Sequence, residues 1–138
     1  MSLYRYWLTV TRVHDGDTIS GSIDLGFYLA MGQAVRLGGI NAPEITGTTA
    51  VAGKASTIAL MGLIGFVHAP ARLKGAFGVP GDYVLADGAT PPVLVVETAH
   101  PKAYEKYGRV LGTLYASEAS STSIDQAMID GGWAIAYP

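Results

Sequence analysis

The sequence lacks cysteine and carries few charged residues. No cysteine occurs among its 138 residues, which excludes disulfide bonds and thiolate metal sites. Charged residues make up 14% of the chain and hydrophobic residues 49%, a balance that excludes disorder of the whole chain. The longest apolar stretch, residues 58–67, is well short of the ~20 residues that a membrane-spanning helix needs, so we expect no membrane partner.

An export signal and an excess of positive charge are also missing. The N-terminus has no basic region followed by an apolar core, so we expect a cytoplasmic protein unless a leader has been removed. The net charge is −2 and the pI about 5.8. Proteins that hold nucleic acid by counterion release are usually basic, so any nucleic-acid role must rest on a local site. The high hydrophobic fraction favours self-association, so we expect that the chain can form a homo-oligomer.

What the sequence does contain is a series of short strands with two helices. Eighteen glycines and seven prolines indicate many turns. Apolar alternation predicts strands over residues 4–13, 19–24, 33–37, 93–98 and 109–116, and helical spacing predicts helices over about 53–65 and 124–130. Ser123 and Gln126 are typical of a capping box before the second helix. Residues 25–32 and 67–92 are predicted connections, the second an atypically long insertion. This order predicts a mainly β (α+β) fold, a five-stranded Greek-key barrel of the oligonucleotide-binding type, in a single domain over residues 1–138.

Two turns contain oxygen ligands of the kind that hard cations bind. Asp15-Gly16-Asp17-Thr18 is either an ordinary hairpin turn or a turn that points one carboxylate at a cation. Asn41-Ala42-Pro43-Glu44 is either a solvated loop or a second source of ligands, with Glu44 beside them as general base.

Two arginines stand next to these turns in the predicted barrel. Arg36 lies in an otherwise apolar strand, so it is either on the outer face or committed to an anion. Arg109 follows Gly108, which allows a turn just before the next strand.

In combination these motifs are far more specific than each is alone. Asp-Gly-Asp-Thr, then Val-Arg-Leu and Ile-Asn-Ala-Pro-Glu, then Lys-Tyr-Gly-Arg-Val-Leu resembles, in order and spacing, the motif series of the staphylococcal nuclease (thermonuclease) family. The late Gly132-Trp133-Ala134 is similar to a segment that follows the family's last helix. The resemblance covers residues 8–66 and 93–137 and leaves 67–92 unmatched.

Membership of that family implies an oligonucleotide-binding barrel that hydrolyses DNA and RNA with calcium. Residue by residue, the resemblance implies the following roles: Asp17, Asn41 and the Ala42 carbonyl as metal ligands; Asp15 and Thr18 just outside them; Arg36, Glu44 and Arg109 as catalytic residues; Lys106 and Tyr107 near the substrate phosphate. Tyr107 or Tyr137 would stack on a base of the substrate, and the alternative for Tyr137 is a core or rim tyrosine. The family's best-known member has an aspartate where this chain has Asn41, so we expect weaker calcium binding or greater tolerance of other divalent cations.

Three functions follow from the sequence as alternatives. The first is a metal-dependent nuclease, acting preferentially on single-stranded nucleic acid and leaving 3′-phosphate ends, as the resemblance implies. The second is a catalytically weak or inactive barrel that binds single-stranded nucleic acid or protein, because a fold alone does not fix a function. The third is an enzyme that acts on another phosphoryl compound.

Overall fold

The computed structural model describes residues 4–69, 83–98 and 108–137, which form a mainly β structure with two α-helices. In chain order the elements are β1 (Arg5–Asp15), β2 (Thr18–Gly26), β3 (Leu29–Leu37), β4 (Ile40–Asn41), a 3₁₀ turn (Gly47–Thr49), α1 (Ala50–Ile64), β5 (Tyr83–Val84), β6 (Val93–Thr98), β7 (Val110–Tyr115), α2 (Ile124–Asp130) and β8 (Ile135–Ala136).

Five of the strands close into a barrel. Their order around it is β2, β3, β7, β6 and β1, and β1 pairs again with β2 to complete the circle. The β3–β7 pair is parallel and the others are antiparallel. Inward side chains such as Leu8, Val35 and Leu114 are fully buried and form the core. This arrangement is compatible with an oligonucleotide-binding type of barrel, in agreement with the fold class predicted from the sequence.

The prediction of a connection over residues 25–32 is wrong, because β2 and β3 form one long hairpin. Its strands continue to Gly26 and Leu29, and only Phe27 and Tyr28 form the turn. Residues 24–30 are all exposed, so neither face of this part of the hairpin needs apolar residues. Without a buried face the period-two pattern that marks a strand is absent from the sequence.

Helix α1 begins at Ala50, three residues before the predicted start, and ends at Ile64, where Gly65 caps it in the left-handed conformation (φ 76°). Its inner side buries Ser56, Leu60 and Met61, while Val51 and Ile58 on its outer side are exposed. By length and composition alone, the stretch Gly47–Ile64 is apolar enough to cross a membrane, a property that core helices of soluble proteins share.

Helix α2 has the predicted bounds and half of the predicted capping box. The Ser123 hydroxyl accepts a hydrogen bond from the Gln126 backbone N–H at 3.0 Å. The Gln126 side chain donates to Asp130 at 2.8 Å instead of returning to Ser123.

Both predicted loops contain short paired strands. β4 pairs with β8, so the C-terminal segment lies beside the 38–44 loop. Within the predicted 67–92 connection, β5 pairs with β1 and His68 forms an isolated bridge with Leu85. Residues 70–82 lie outside the described part of the chain.

The tip of the β2–β3 hairpin is strained. Phe27 (φ 54°) and Tyr28 (φ 63°) both adopt left-handed backbone conformations, which cost an L-residue roughly 1–2 kcal/mol each. Replacing the pair by Asn-Gly, the residues that favour this two-residue turn, should raise the free energy of unfolding by about 1–2 kcal/mol. Urea denaturation would measure the gain. Tyr28→Ala is the matched control, since it removes an exposed ring but keeps the Cβ; an equal gain in both variants would show that relief of backbone strain is not the cause.

Candidate active site

The Asp15-Gly16-Asp17 turn lies where the β1–β2 hairpin meets helix α1. Asp15 and Thr18 are register partners, and the Asp15 carboxylate accepts a hydrogen bond from the Asp17 N–H at 3.1 Å. Gly16 packs so closely on Ser56 of α1 that a Cβ at this position would collide with the Ser56 hydroxyl. The helix therefore fixes the turn, and with it the direction of both carboxylates.

The Asp17 carboxylate points into the protein. Asp17 is 7% exposed, and its Oδ2 accepts a hydrogen bond from the Ala42 N–H at 2.9 Å. Its Oδ1 accepts one from the Thr18 hydroxyl at 3.0 Å. The bond from Ala42 joins the β1–β2 turn to the 38–44 loop.

Arg36 lies at the centre of a cluster that it forms with Asp17 and Asn41. Its Nη1 donates to the carbonyls of Leu37 at 2.8 Å and Ile40 at 3.0 Å, and stands 3.4 Å from Asp17 Oδ2. Its Nη2 donates to Asn41 Oδ1 at 3.3 Å. The Nε–H and the second Nη2–H of Arg36 are not used in its bonds to described residues. These two donors can therefore bind a ligand. Arg36 is thus half-buried, bonded to the loop of Asn41 and close to the Asp17 carboxylate.

The backbone of Glu44 is held in place by contacts, and its side chain is exposed. Its carbonyl accepts a hydrogen bond from the Thr49 hydroxyl at 2.9 Å. Gly53 of α1 packs against the same carbonyl so closely that a side chain there would collide with it. The negative charge of Glu44 contributes to the raised pKa of Asp15. Glu44 therefore stands at the edge of the cluster, open to solvent.

Of the other predicted site residues, Arg109 and Tyr137 lie in the described part of the chain. Arg109 is half-buried and directly precedes Val110, the register partner of Val35, so it lies at the end of β3 that carries Arg36. The Tyr137 ring is 55% exposed and its centroid is 5.8 Å from the Arg36 guanidinium carbon, within cation–π range. Lys106 and Tyr107 lie outside the described residues.

The acidic residues of the turn repel each other. Burial, together with the neighbouring carboxylates of Asp17 and Glu44, raises the pKa of Asp15 to about 7. Carboxylates in this state gain from a nearby positive charge.

The oxygen atoms of this cluster are of the chemical type that binds a hard cation. Carboxylate, amide and carbonyl oxygens at Asp17, Asn41 and Ala42 are the ligands that calcium takes, and the unfavourable charge on Asp15 is what a divalent cation would relieve. Arg36 already contacts Asp17 and Asn41, so a cation would share both residues with it. Within the described ranges, no three His, Asp or Glu side chains converge on one point. Such a site would bind a divalent cation weakly and take much of its coordination from water.

Two buried residues of the cluster were missed by sequence reasoning. Ser56 supports Gly16, and its buried hydroxyl has no hydrogen-bond partner in the described structure. Asp125 of α2 is 5% exposed and accepts a hydrogen bond from the Leu114 N–H at 3.0 Å. Burial raises the pKa of Asp125, and the positive charge of Arg36 partly opposes that rise. An acidic residue in the first turn of a helix is ordinarily explained by the helix dipole. Only its burial, which the sequence does not show, indicates that Asp125 belongs to the site.

No family model matches the chain, and no curated protein matches its sequence. The roles of Arg36, Glu44 and the others therefore stay predictions that rest on the motifs and on the contacts described above.

Asp15 should make the stability depend on pH. Its pKa is about 7 in the folded protein against 3.8 as the ordinary value, so the folded state binds a proton more readily and loses stability as pH rises from about 4 to 7. Asp15→Asn keeps the acceptor for the Asp17 N–H but carries no charge. At about pH 8 we expect the variant to be more stable by about 2 kcal/mol, after allowance for solvent screening, and at about pH 4 to match the parent. Asp87→Asn, an exposed turn residue, is the control; a difference that does not vary with pH would contradict the prediction.

Proposed function

We propose that the protein is a metal-dependent nuclease of the staphylococcal nuclease type, which hydrolyses phosphodiester bonds of DNA, RNA or both and prefers single strands. The observation that carries the proposal is the contact group around Arg36. Asp17 from one turn and Asn41 from another meet the same guanidinium, although they lie far apart in sequence. The motif resemblance assigns these positions to one active site, and their contacts support that assignment.

In this mechanism the chain's own residues bind the phosphate and move one proton. Arg36, through its Nε and Nη2 donors, and Arg109 bind the non-bridging oxygens and stabilise the charge that develops on them. Glu44 accepts a proton from a water molecule whose oxygen forms the new bond to phosphorus. The bond from phosphorus to the 5′ oxygen breaks, and that oxygen takes up a proton from solvent water, which leaves a 3′-phosphate and a 5′-hydroxyl. A calcium ion held by Asp17, Asn41 and the Ala42 carbonyl would supply Lewis-acid neutralisation of the phosphate.

A cleavage assay tests the proposal directly. Purified protein is incubated with end-labelled single-stranded DNA, double-stranded DNA and RNA, in calcium, in manganese and in chelator. We expect cleavage with a divalent cation, fastest on single strands, and none in chelator. The 3′ ends should resist extension by a polymerase until a phosphatase has acted on them. No cleavage with either cation, at protein concentrations above that of the substrate, would refute the proposal.

One observation favours the second function, a binding module without catalysis. Both Nη1 bonds of Arg36 go to backbone carbonyls, and Asn41 supplies no negative charge for a metal. A module of this kind would shift oligonucleotides in a gel without cutting them. In that case calcium would leave the melting temperature unchanged, whereas a ligand that binds the folded state must raise it.

A further inference from the structure

An uncharged groove opens beside the proposed active site. Its volume is about 290 Å³, and it shares Asn41 and Ala42 with the cluster around Arg36. The other lining residues are Pro43, Thr49, Gly132, Trp133, Ala134 and Ile135. No lining side chain is charged, so the groove suits a flat, neutral group better than a phosphate.

The position of the groove follows from the pairing of the C-terminal segment. Asn41 is the register partner of Ile135 in the β4–β8 pair, and the Tyr137 N–H donates to the Gly39 carbonyl at 3.0 Å. These bonds hold one wall of the groove against the loop that contacts Arg36. The groove and the arginine are therefore parts of one rigid unit.

Trp133 forms an anchored aromatic wall. Its backbone N–H donates to the Met128 carbonyl at 2.9 Å, at the end of α2. A Cβ on Gly131 would lie 2.6 Å from indole atoms Cδ1 and Nε1, so the absence of a side chain there lets the indole lie against the helix end. Trp133 still exposes 42% of its surface. A large ring fixed on one side and open on the other is suited to stacking with another ring.

We propose that the groove binds a nucleobase next to the scissile phosphate, stacked on Trp133. The inference rests on the proposed nuclease function and adds a base subsite to it. A phosphate on Arg36 sets the neighbouring base at the mouth of the groove, because Asn41 contacts Arg36 and also lines the groove. Stacking tolerates any base and needs no positive charge, which suits a protein of net charge −2.

Fluorescence tests binding without requiring cleavage. Trp7 and Trp133 are the only tryptophans, so in a Trp7→Phe background the emission reports on Trp133 alone. The protein is titrated in chelator with oligothymidylate and with an abasic oligomer of equal length. We expect saturable quenching by oligothymidylate only. Trp133→Ala should weaken oligothymidylate binding by about 5- to 150-fold, measured by anisotropy of a labelled oligomer, and Trp133→Phe should weaken it less. Equal binding of both oligomers, or unchanged affinity in Trp133→Ala, would overturn the subsite.

Cleavage kinetics separate this inference from the proposed function. Trp133→Ala should raise KM for oligothymidylate. If the protein cleaves DNA and Trp133→Ala has the KM of the parent, the subsite is refuted and the nuclease stands. If the parent cleaves nothing while Trp133 emission saturates with oligothymidylate, the nuclease is refuted and the groove stands as a binding site.

Discussion

Arg36→Ala is expected to slow the cleavage of single-stranded DNA by at least about 100-fold, the usual cost of losing one preorganised donor to the developing charge. The same change should destabilise the fold by about 3 kcal/mol. It leaves the buried Asp17 carboxylate without its counter-charge and removes the donors to the Leu37 and Ile40 carbonyls. Both effects are measured on one preparation, by initial rates well below the melting temperature and by urea denaturation.

Arg36→Lys distinguishes the two roles of this residue. The ammonium keeps a positive charge near Asp17, so most of the stability should return. It has no planar fork for two phosphate oxygens, so the rate should stay low. Arg12→Ala removes a positive charge from an exposed position of β1 and should leave the cleavage rate unchanged. A folded Arg36→Ala protein that cleaves at the parental rate would exclude Arg36 from the chemistry.

Glu44→Gln is expected to lower the cleavage rate by about 10²- to 10⁴-fold, the range for loss of a general base. Its stability should stay within about 0.5 kcal/mol of the parent, because the Glu44 side chain is exposed. The backbone at this position is held by the Thr49 hydroxyl and by Gly53, which the change leaves intact. Rates and melting temperatures are compared with those of Glu118→Gln, an exposed glutamate after β7 that should behave as the parent.

Glu44 also separates the nuclease from the binding module. In a nuclease, Glu44→Gln binds oligonucleotide as the parent does and fails to cut it, whereas Arg36→Ala weakens both steps. If Glu44→Gln retains the full rate of cleavage, a different group must accept the proton and the proposed mechanism is wrong. If neither variant changes any rate because the parent has none, only the binding function remains.

Local patterns in the sequence were sufficient for most of the barrel. Alternation of buried and exposed residues marks β1 and β7, and Ser123 marks the start of α2. The pattern did not extend to the tip of the β2–β3 hairpin, where residues 24–30 are exposed on both faces. It also could not indicate β4 and β8, because strands of two residues are too short to show a period.

The sequence by itself determined which residue types are available to the site and in what order: an acidic turn, an arginine in an apolar strand, a loop with Glu44, and a second arginine. Only the tertiary structure decided which of them meet. Closure of the barrel brings Asp17 to Ala42 and Arg36, and α1 fixes the acidic turn through Gly16 and Ser56. The burial of Asp125 and the groove beside Trp133 depend in the same way on contacts between segments distant in the chain. Such contacts leave no local period or spacing in the sequence, because burial and electrostatic environment arise only when the segments pack together.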